Sequence, residues 1–317
     1  MKINTSEIIN HFGIIDLFLC SSGFEERSTF LGKSLDNTKV DKAYLFHLKD
    51  NYVQAEINSE EINKNLPHIT IITYPRHRAI ETFDIFYHFF DKQINYNKNL
   101  NVVIDITTFT REILLVLVKI LSLDRFRNVF SINLVYTPAE NYPKWLSKGV
   151  RDIRSIFGYS GLHLPSKKLM LIVLNGFEVE RTKEIIDSFE PNRLLLGKPS
   201  ELNSINKKLN KISCERFEEI NERYHSLIIE DFEFSCKNVL ETKKVLDKLV
   251  NKYQNDYNIV ISPLNNKIST LSVALLAIEN ENVQVCYASA NQYNIKSYSK
   301  SSDYFFVFNL NELLQQN

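Results

Sequence analysis

Two short loops carry the residue types that could do chemistry. In the first, Cys20-Ser21-Ser22-Gly23-Phe24-Glu25-Glu26-Arg27-Ser28 follows an apolar run at residues 14–19. It offers hydroxyls, a glycine, two carboxylates and a guanidinium where a strand gives way to a helix. An apolar run, a small residue, glycine and a helix start form the strand-to-helix turn of a nucleotide-binding α/β unit. Glu25 and Glu26 suit the positive end of a helix but would repel a phosphate bound there. They are better placed to hold ribose hydroxyls, a base edge or a cation, with Gly23 allowing close backbone approach. In the second loop, Asp105 ends a buried-type strand and is followed by Thr107, Thr108, Thr110, Arg111 and Glu112. Hydroxyls, a helix N-terminus and a guanidinium together suit a phosphate or phosphodiester with an adjacent sugar. For catalysis, Asp105 with Glu25 or Glu26 would supply paired carboxylates for general acid–base work.

Each loop also has a purely structural reading. Ser22-x-x-Glu25 is a capping box, and Asn175-x-x-Glu178 repeats it. Capping accounts for the glutamates but leaves Arg27 and Arg181 without a role. The phenylalanines Phe24 and Phe177 are expected to wedge between helix and sheet. In the second loop a threonine cap with Arg111 and Glu112 solvated is the alternative. Further candidates are the aromatic loops Tyr136 to Asn141 and Tyr142 with Trp145, and Tyr287 to Tyr293 with Tyr298. These could stack a base or simply pack. The basic turn Pro75-Arg76-His77-Arg78 is a lesser phosphate candidate.

The first loop has a second copy, Leu174-Asn175-Gly176-Phe177-Glu178-Val179-Glu180-Arg181-Thr182, half a chain later. Apolar runs alternate with helical patterns through both halves, which predicts an α/β fold with mainly parallel sheets and right-handed crossovers. The chain thus reads as two tandem Rossmann-like units related by internal duplication, at residues 1–160 and 165–317. The expected strand order is 3-2-1-4-5, with both chemical loops at the crevice between strands one and four. Residues 153–159 are expected to close the first sheet and 304–310 the second. The boundary is expected in the polar stretch 158–168, and 216–224 is expected to be an insertion. The fourth-strand loop of the second half, Ser262-Pro263-Leu264-Asn265-Asn266-Lys267, has lost the acid. A helix at residues 80–94 carries Phe83, Phe86, Tyr87 and Phe90 at core spacing.

With 38 basic and 38 acidic residues the net charge is zero, so no overall field draws the protein to nucleic acid. The four cysteines lack CxxC spacing and read as free thiols in a reducing compartment. The seven histidines are scattered without metal spacing, so no metal or cofactor is expected. No apolar run is long enough to span a bilayer and the start lacks a signal-peptide layout, which reads as cytoplasmic. GxGxxG, Walker, HExxH and GxSxG motifs are absent.

The first half resembles a CRISPR-associated Rossmann-fold (CARF) domain over about 90 residues. Asp105, Thr107, Thr110 and Arg111 stand in places similar to that family's acid, threonines and basic residue. Thr108 and Phe109 stand where the family has two glycines. The resemblance implies a nucleotide-derived signal sensed at residues 21–27 and 105–111, in bacterial antiviral defence. The ligand set is Ser21, Ser22, Gly23, Glu25, Arg27, Asp105, Thr107, Thr108, Thr110, Arg111, Tyr136 and Asn141. Family members carry a separate effector domain, whereas this sequence shows a second Rossmann-like unit and no visible nuclease, so the resemblance implies an effector on another polypeptide, with self-association left open. A nucleotide-processing enzyme and a structural assembly subunit are the alternatives.

Overall fold

The computed structural model describes residues 1–49, 52–66, 68–76, 78–95, 98–295 and 299–315. His77 and Tyr298, named above, lie outside the described residues. The chain begins with β1 (Lys2–Asn4), α1 (Thr5–His11) and β2 (Ile15–Ser22), then a 3-10 turn at Glu26–Thr29 and α2 (Phe30–Ser34). It continues through β3 (Val40–Lys49), α3 (Val53–Asn65), β4 (Thr70–Pro75) and α4 (Ala79–Gln93). Next come β5 (Leu100–Asp105), α5 (Arg111–Leu121), α6 (Asp124–Arg127), β6 (Phe130–Tyr136) and β7 (Ala139–Asn141). The second run is β8 (Ser147–Ser160), β9 (Lys168–Leu174), α7 (Val179–Phe189), β10 (Arg193–Pro199) and α8 (Lys207–Tyr224). It proceeds with β11 (Ile228–Phe234), α9 (Val239–Tyr253), β12 (Tyr257–Pro263), α10 (Lys267–Glu279) and β13 (Val283–Tyr293). β14 (Lys300–Ser301), β15 (Tyr304–Asn309) and α11 (Leu310–Gln315) complete it.

Among the described residues the strands form two large sheets, ordered β1-β15-β6-β5-β2-β3-β4 and β11-β10-β9-β12-β13-β8, and a small pair, β14-β7. Within each large sheet, five parallel strands run in the order 3-2-1-4-5, so the α/β class and the neighbouring of strands one and four are as the sequence indicates. β2 is buried at every position, which is why it reads as a continuous apolar run rather than an alternating one. α5 and α10 are buried almost all round because neighbouring helices cover them as well, α4 and α6 beside α5 and α9 beside α10. Phe86 and Phe90 of α4 are fully buried, while Phe83 and Tyr87 are half-buried. Residues 216–224 are no insertion; they are the second half of the continuous helix α8.

The closing strands depart from expectation. β8 does not close the first sheet but pairs antiparallel with β13, along a register from Ser147↔Tyr293 to Ser160↔Gln284. β15 does not close the second sheet but pairs antiparallel with β6, Phe306 opposite Tyr136. Each arm is thus encoded after one repeat and completes the other. The compact units are accordingly residues 1–140 with 295–317, and 141–294. The divisions fall at 140/141 and 294/295, replacing the expected boundary at 158–168, because strand pairing and burial assign the arms. Phe305 and Val307 of β15 lie in the first core, and Val150 and Ile153 of β8 pack on the second. Burying such a side chain contributes about 1.5–3 kcal/mol.

Gly23 and Gly176 occupy equivalent turns, one after β2 and one after β9, each pressed against its own unit's strand-four loop. A Cβ on Gly23 would stand 2.9 Å from the Cβ of Thr108, and one on Gly176 only 2.1 Å from the Leu264 carbonyl oxygen. The overlap with the carbonyl is much the deeper, and neither a carbonyl nor a Cβ moves without its backbone. Gly176→Ala is therefore expected to destabilise by about 2–3 kcal/mol and Gly23→Ala by about 1 kcal/mol. Chemical denaturation of both variants measures this, and an unaffected Gly176→Ala would mean the loops are not in that contact.

Candidate functional site

The repeated Gly-Phe-Glu turn is built around a buried ion pair. In the first unit the Arg27 guanidinium is bound to the Glu25 carboxylate and is 3% exposed. Arg27 Nη1 also donates to the Thr137 carbonyl at 2.8 Å and Nε to Ser299 Oγ at 2.9 Å. Ser299 Oγ in turn donates to Glu25 Oε2 at 2.8 Å. In the second unit Arg181 Nη1 lies 3.1 Å from Glu178 Oε2, and Ser147 Oγ bonds both partners. Each serine belongs to an exchanged arm: Ser299 precedes β14, and Ser147 opens β8. These bonds show what the arginines do, and they displace the capping boxes. Ser22 and Asn175 cap nothing; Ser22 Oγ bonds His47 and Asn175 Oδ1 accepts from Thr182.

The strand-four loop of the first unit is threaded into the same network. Thr137 N–H donates to Thr107 Oγ1 at 2.9 Å, and Thr107 N–H to Asp105 Oδ1 at 3.0 Å. Thr108 Oγ1 donates to the Ser21 carbonyl at 2.8 Å, fastening the two chemical loops together. Thr110 caps α5 by accepting from Ile113 N–H. Phe109 is buried with its ring centre 6.2 Å from Phe46 and 6.0 Å from Phe86, anchoring the loop in the core. Asp105 is 2% exposed, and burial pushes its carboxyl up to about 6, against the lowering effects of the Thr107 bonds and of Arg27. Its carboxylate faces this interior network. Glu25 is engaged by Arg27 and Ser299, while Glu26 is exposed. Hydrogen bonds therefore link Ser21 to Thr108 and Glu25 to Arg27, and Asp105 and Thr107 to Arg27 through Thr137, while Gly23 packs against Thr108 and Thr110 caps α5. Arg111 is half-buried at the start of α5. Tyr136 is buried at the end of β6, and Asn141 opens the second unit.

Several participants went unnoticed in the sequence. His47, opposite Ser22 in the β2–β3 register, holds Ser22 Oγ at 2.7 Å through Nδ1 and approaches Glu56 at 3.1 Å through Nε2. Asn58 of α3 donates to the carbonyls of Gly23 and Glu25. Phe24 does not wedge into the core; it is half-buried and meets Tyr52 edge-on at 5.4 Å, with Arg76 5.7 Å from the Tyr52 ring. Phe177 likewise meets Tyr142 at 4.7 Å. Ser147 and Ser299 follow Tyr142 and Tyr293 at nearly the same distance, the one feature of the sequence that the two serine closures share. The strand-four loop of the second unit is held by amides instead: Asn265 donates to the Asn175 carbonyl and Asn266 caps α10.

No group of three or more potential metal-binding side chains clusters among the described residues. No helix among the described residues is long and apolar enough to cross a membrane.

Among solved structures, the chain is similar to a universal stress protein from Pseudomonas aeruginosa UCBPP-PA14, at 8% identity over 87% of this chain and 94% of that one, with a TM-score of 0.26. It is also similar to a periplasmic ribose ABC transporter from Conexibacter woesei DSM 14684, at 10% identity over 84% and 69%, with the same TM-score. Likenesses at this level carry no argument for function. No family model and no curated protein matches the chain.

Two outcomes follow from the network. Removing Glu25 would strand a buried guanidinium, so Glu25→Ala is expected to cost about 3–5 kcal/mol, whereas Ser299→Ala should cost about 1 kcal/mol; denaturant titration ranks them. For Asp105 the folded value of about 6 exceeds the ordinary 3.8. The neutral acid is therefore favoured by folding, and its contribution is complete below about pH 4 and lost as pH rises through about 6. The loss amounts to about 3 kcal/mol. Asp105→Asn keeps an acceptor for Thr107 and should flatten the stability profile between about pH 4 and 6. An unchanged slope would place the titration elsewhere.

Proposed function

We propose that the protein is a nucleotide-binding regulatory module that acts through a separate protein effector. The observation that carries this reading is the edge of the first sheet, where loops after β2, β3 and β4 place Phe24, Tyr52 and Arg76 side by side. Half-buried aromatic rings under a guanidinium are suited to stacking a base and neutralising a phosphate. These residues follow the carboxyl ends of strands one, two and three, the end of the sheet at which open α/β folds hold ligands. Arg111, at the start of α5, is a second phosphate contact on this reading.

The bonded loops beneath serve as a positioning layer rather than as direct contacts. Asp105, Thr107, Thr108 and Glu25 fix the backbone of residues 21–27 and 105–110 against one another. Paired-carboxylate catalysis is less favoured, because Glu25 is engaged by Arg27 and Asp105 points into the interior network. The resemblance of the first half to CARF domains adds the setting, antiviral signalling in bacteria with the effector on another chain. There Thr108 and Phe109 replace the family's glycines; Thr108 presses on Gly23 and Phe109 fills the core, which favours a small nucleotide over a cyclic oligomer.

Titration calorimetry of the full chain against a panel of mono-, di- and cyclic nucleotides, with product analysis of the same samples, tests the reading. Binding without turnover is expected. Tyr52→Ala and Arg76→Ala should each weaken it at least ~10-fold, about 1.4 kcal/mol, while Ser262→Ala in the second unit should leave it unchanged. Turnover would move the assignment to a nucleotide-processing enzyme, and neither binding nor turnover would leave an assembly subunit.

A further inference from the structure

The second unit contains a cavity that the reading above does not use. Its volume is about 200 Å³, and it is lined by Trp145 and Phe177, with Lys144, Arg216, Glu180 and Glu219 also on its walls. Glu178, Arg181 and Ser147 line it too, so the buried ion pair and its serine form a polar face already fixed in place. The aromatic residues are also held. Lys148 Nζ lies 4.7 Å from the centre of the Trp145 ring, and the Phe177 ring lies 4.7 Å from that of Tyr142. Arg216 is steadied by Glu219 at 3.5 Å.

We propose that this cavity is a binding site for a planar nitrogen heterocycle of the nucleobase class, separate from the site of the first unit. Its size sets the first limit. Pockets for drug-sized ligands are about 300–1,000 Å³, so this one admits a base while leaving ribose and phosphate outside. Its chemistry sets the second. Two aromatic side chains offer stacking faces, while carboxylates and cationic donors on the same walls match the amino groups and ring nitrogens of a base edge. The third limit is charge. Lining acids and bases balance, and Glu180 in the first turn of α7 disfavours a phosphate at that helix end. The ligand is therefore a base or nucleoside, and added phosphates bring no gain.

Trp145 is the chain's single tryptophan, so its fluorescence reports this cavity directly. Titrating the full chain with adenosine and with guanosine should give saturable quenching for at least one of them. The corresponding triphosphate should bind no more than about threefold tighter. Phe177→Leu keeps an apolar side chain but removes the ring, and should weaken the titration at least about fivefold, the low end of base stacking. Trp145→Phe, read by calorimetry, should retain binding. Tyr52→Ala should leave the Trp145 titration unchanged, which separates this site from that of the first unit. Absence of saturable quenching below about 1 mM, or an unchanged midpoint in Phe177→Leu with its thermal midpoint preserved, would overturn the proposal.

Discussion

The structure of each unit depends on one buried ion pair, a glutamate and an arginine from the Gly-Phe-Glu turn, closed by a serine hydroxyl from an exchanged arm, Ser299 for the first pair and Ser147 for the second. A buried guanidinium is tolerated only when its charge and donors are satisfied. Here Glu25, Ser299 and the Thr137 carbonyl do this for Arg27. The pair thereby makes the folding of the turn conditional on the arm. It also ties the arm to the strand-one loop, the part of an α/β unit most used for ligands.

The exchange of arms is the consequence at the level of topology. A chain of two identical tandem repeats would be expected to finish each sheet with its own last strand. Here β15 carries Phe305 and Val307 into the first core and β8 packs Val150 and Ile153 onto the second. Local sequence does not distinguish the two solutions, because both arms are strands following similar tyrosine loops.

The duplication has also left the two units with different strand-four loops. The first keeps Asp105 and a threonine chain that links it to Thr107 and Thr137; the second uses Asn265 and Asn266 in backbone bonds and caps. A buried acid with a raised titration point makes the first loop sensitive to pH and to the nearby Arg27 charge, whereas the amides make the second loop indifferent to both. The second unit instead has Trp145 and Phe177 lining a cavity on its ion pair.

The sequence by itself determined the α/β class, the duplication, the strand order and the equivalence of Gly23 and Gly176. Those follow from local periodicity, turn chemistry and the steric and handedness rules of parallel sheets, all of which are written in contiguous residues. It also placed residues 21–27 and 105–110 together, since the strand order brings those two strand ends side by side. What it left open was decided by contacts that local spacing does not specify. Ser22 and Glu25 have the spacing of a capping box, yet a partner of opposite charge and a neighbouring histidine outcompeted the helix amides for them. His47 and Asn58 carry no local signal, because their roles come from which strand or helix lies beside them. The ownership of β8 and β15 was settled only in three dimensions, by which core buries their apolar faces and which ion pair receives their serine.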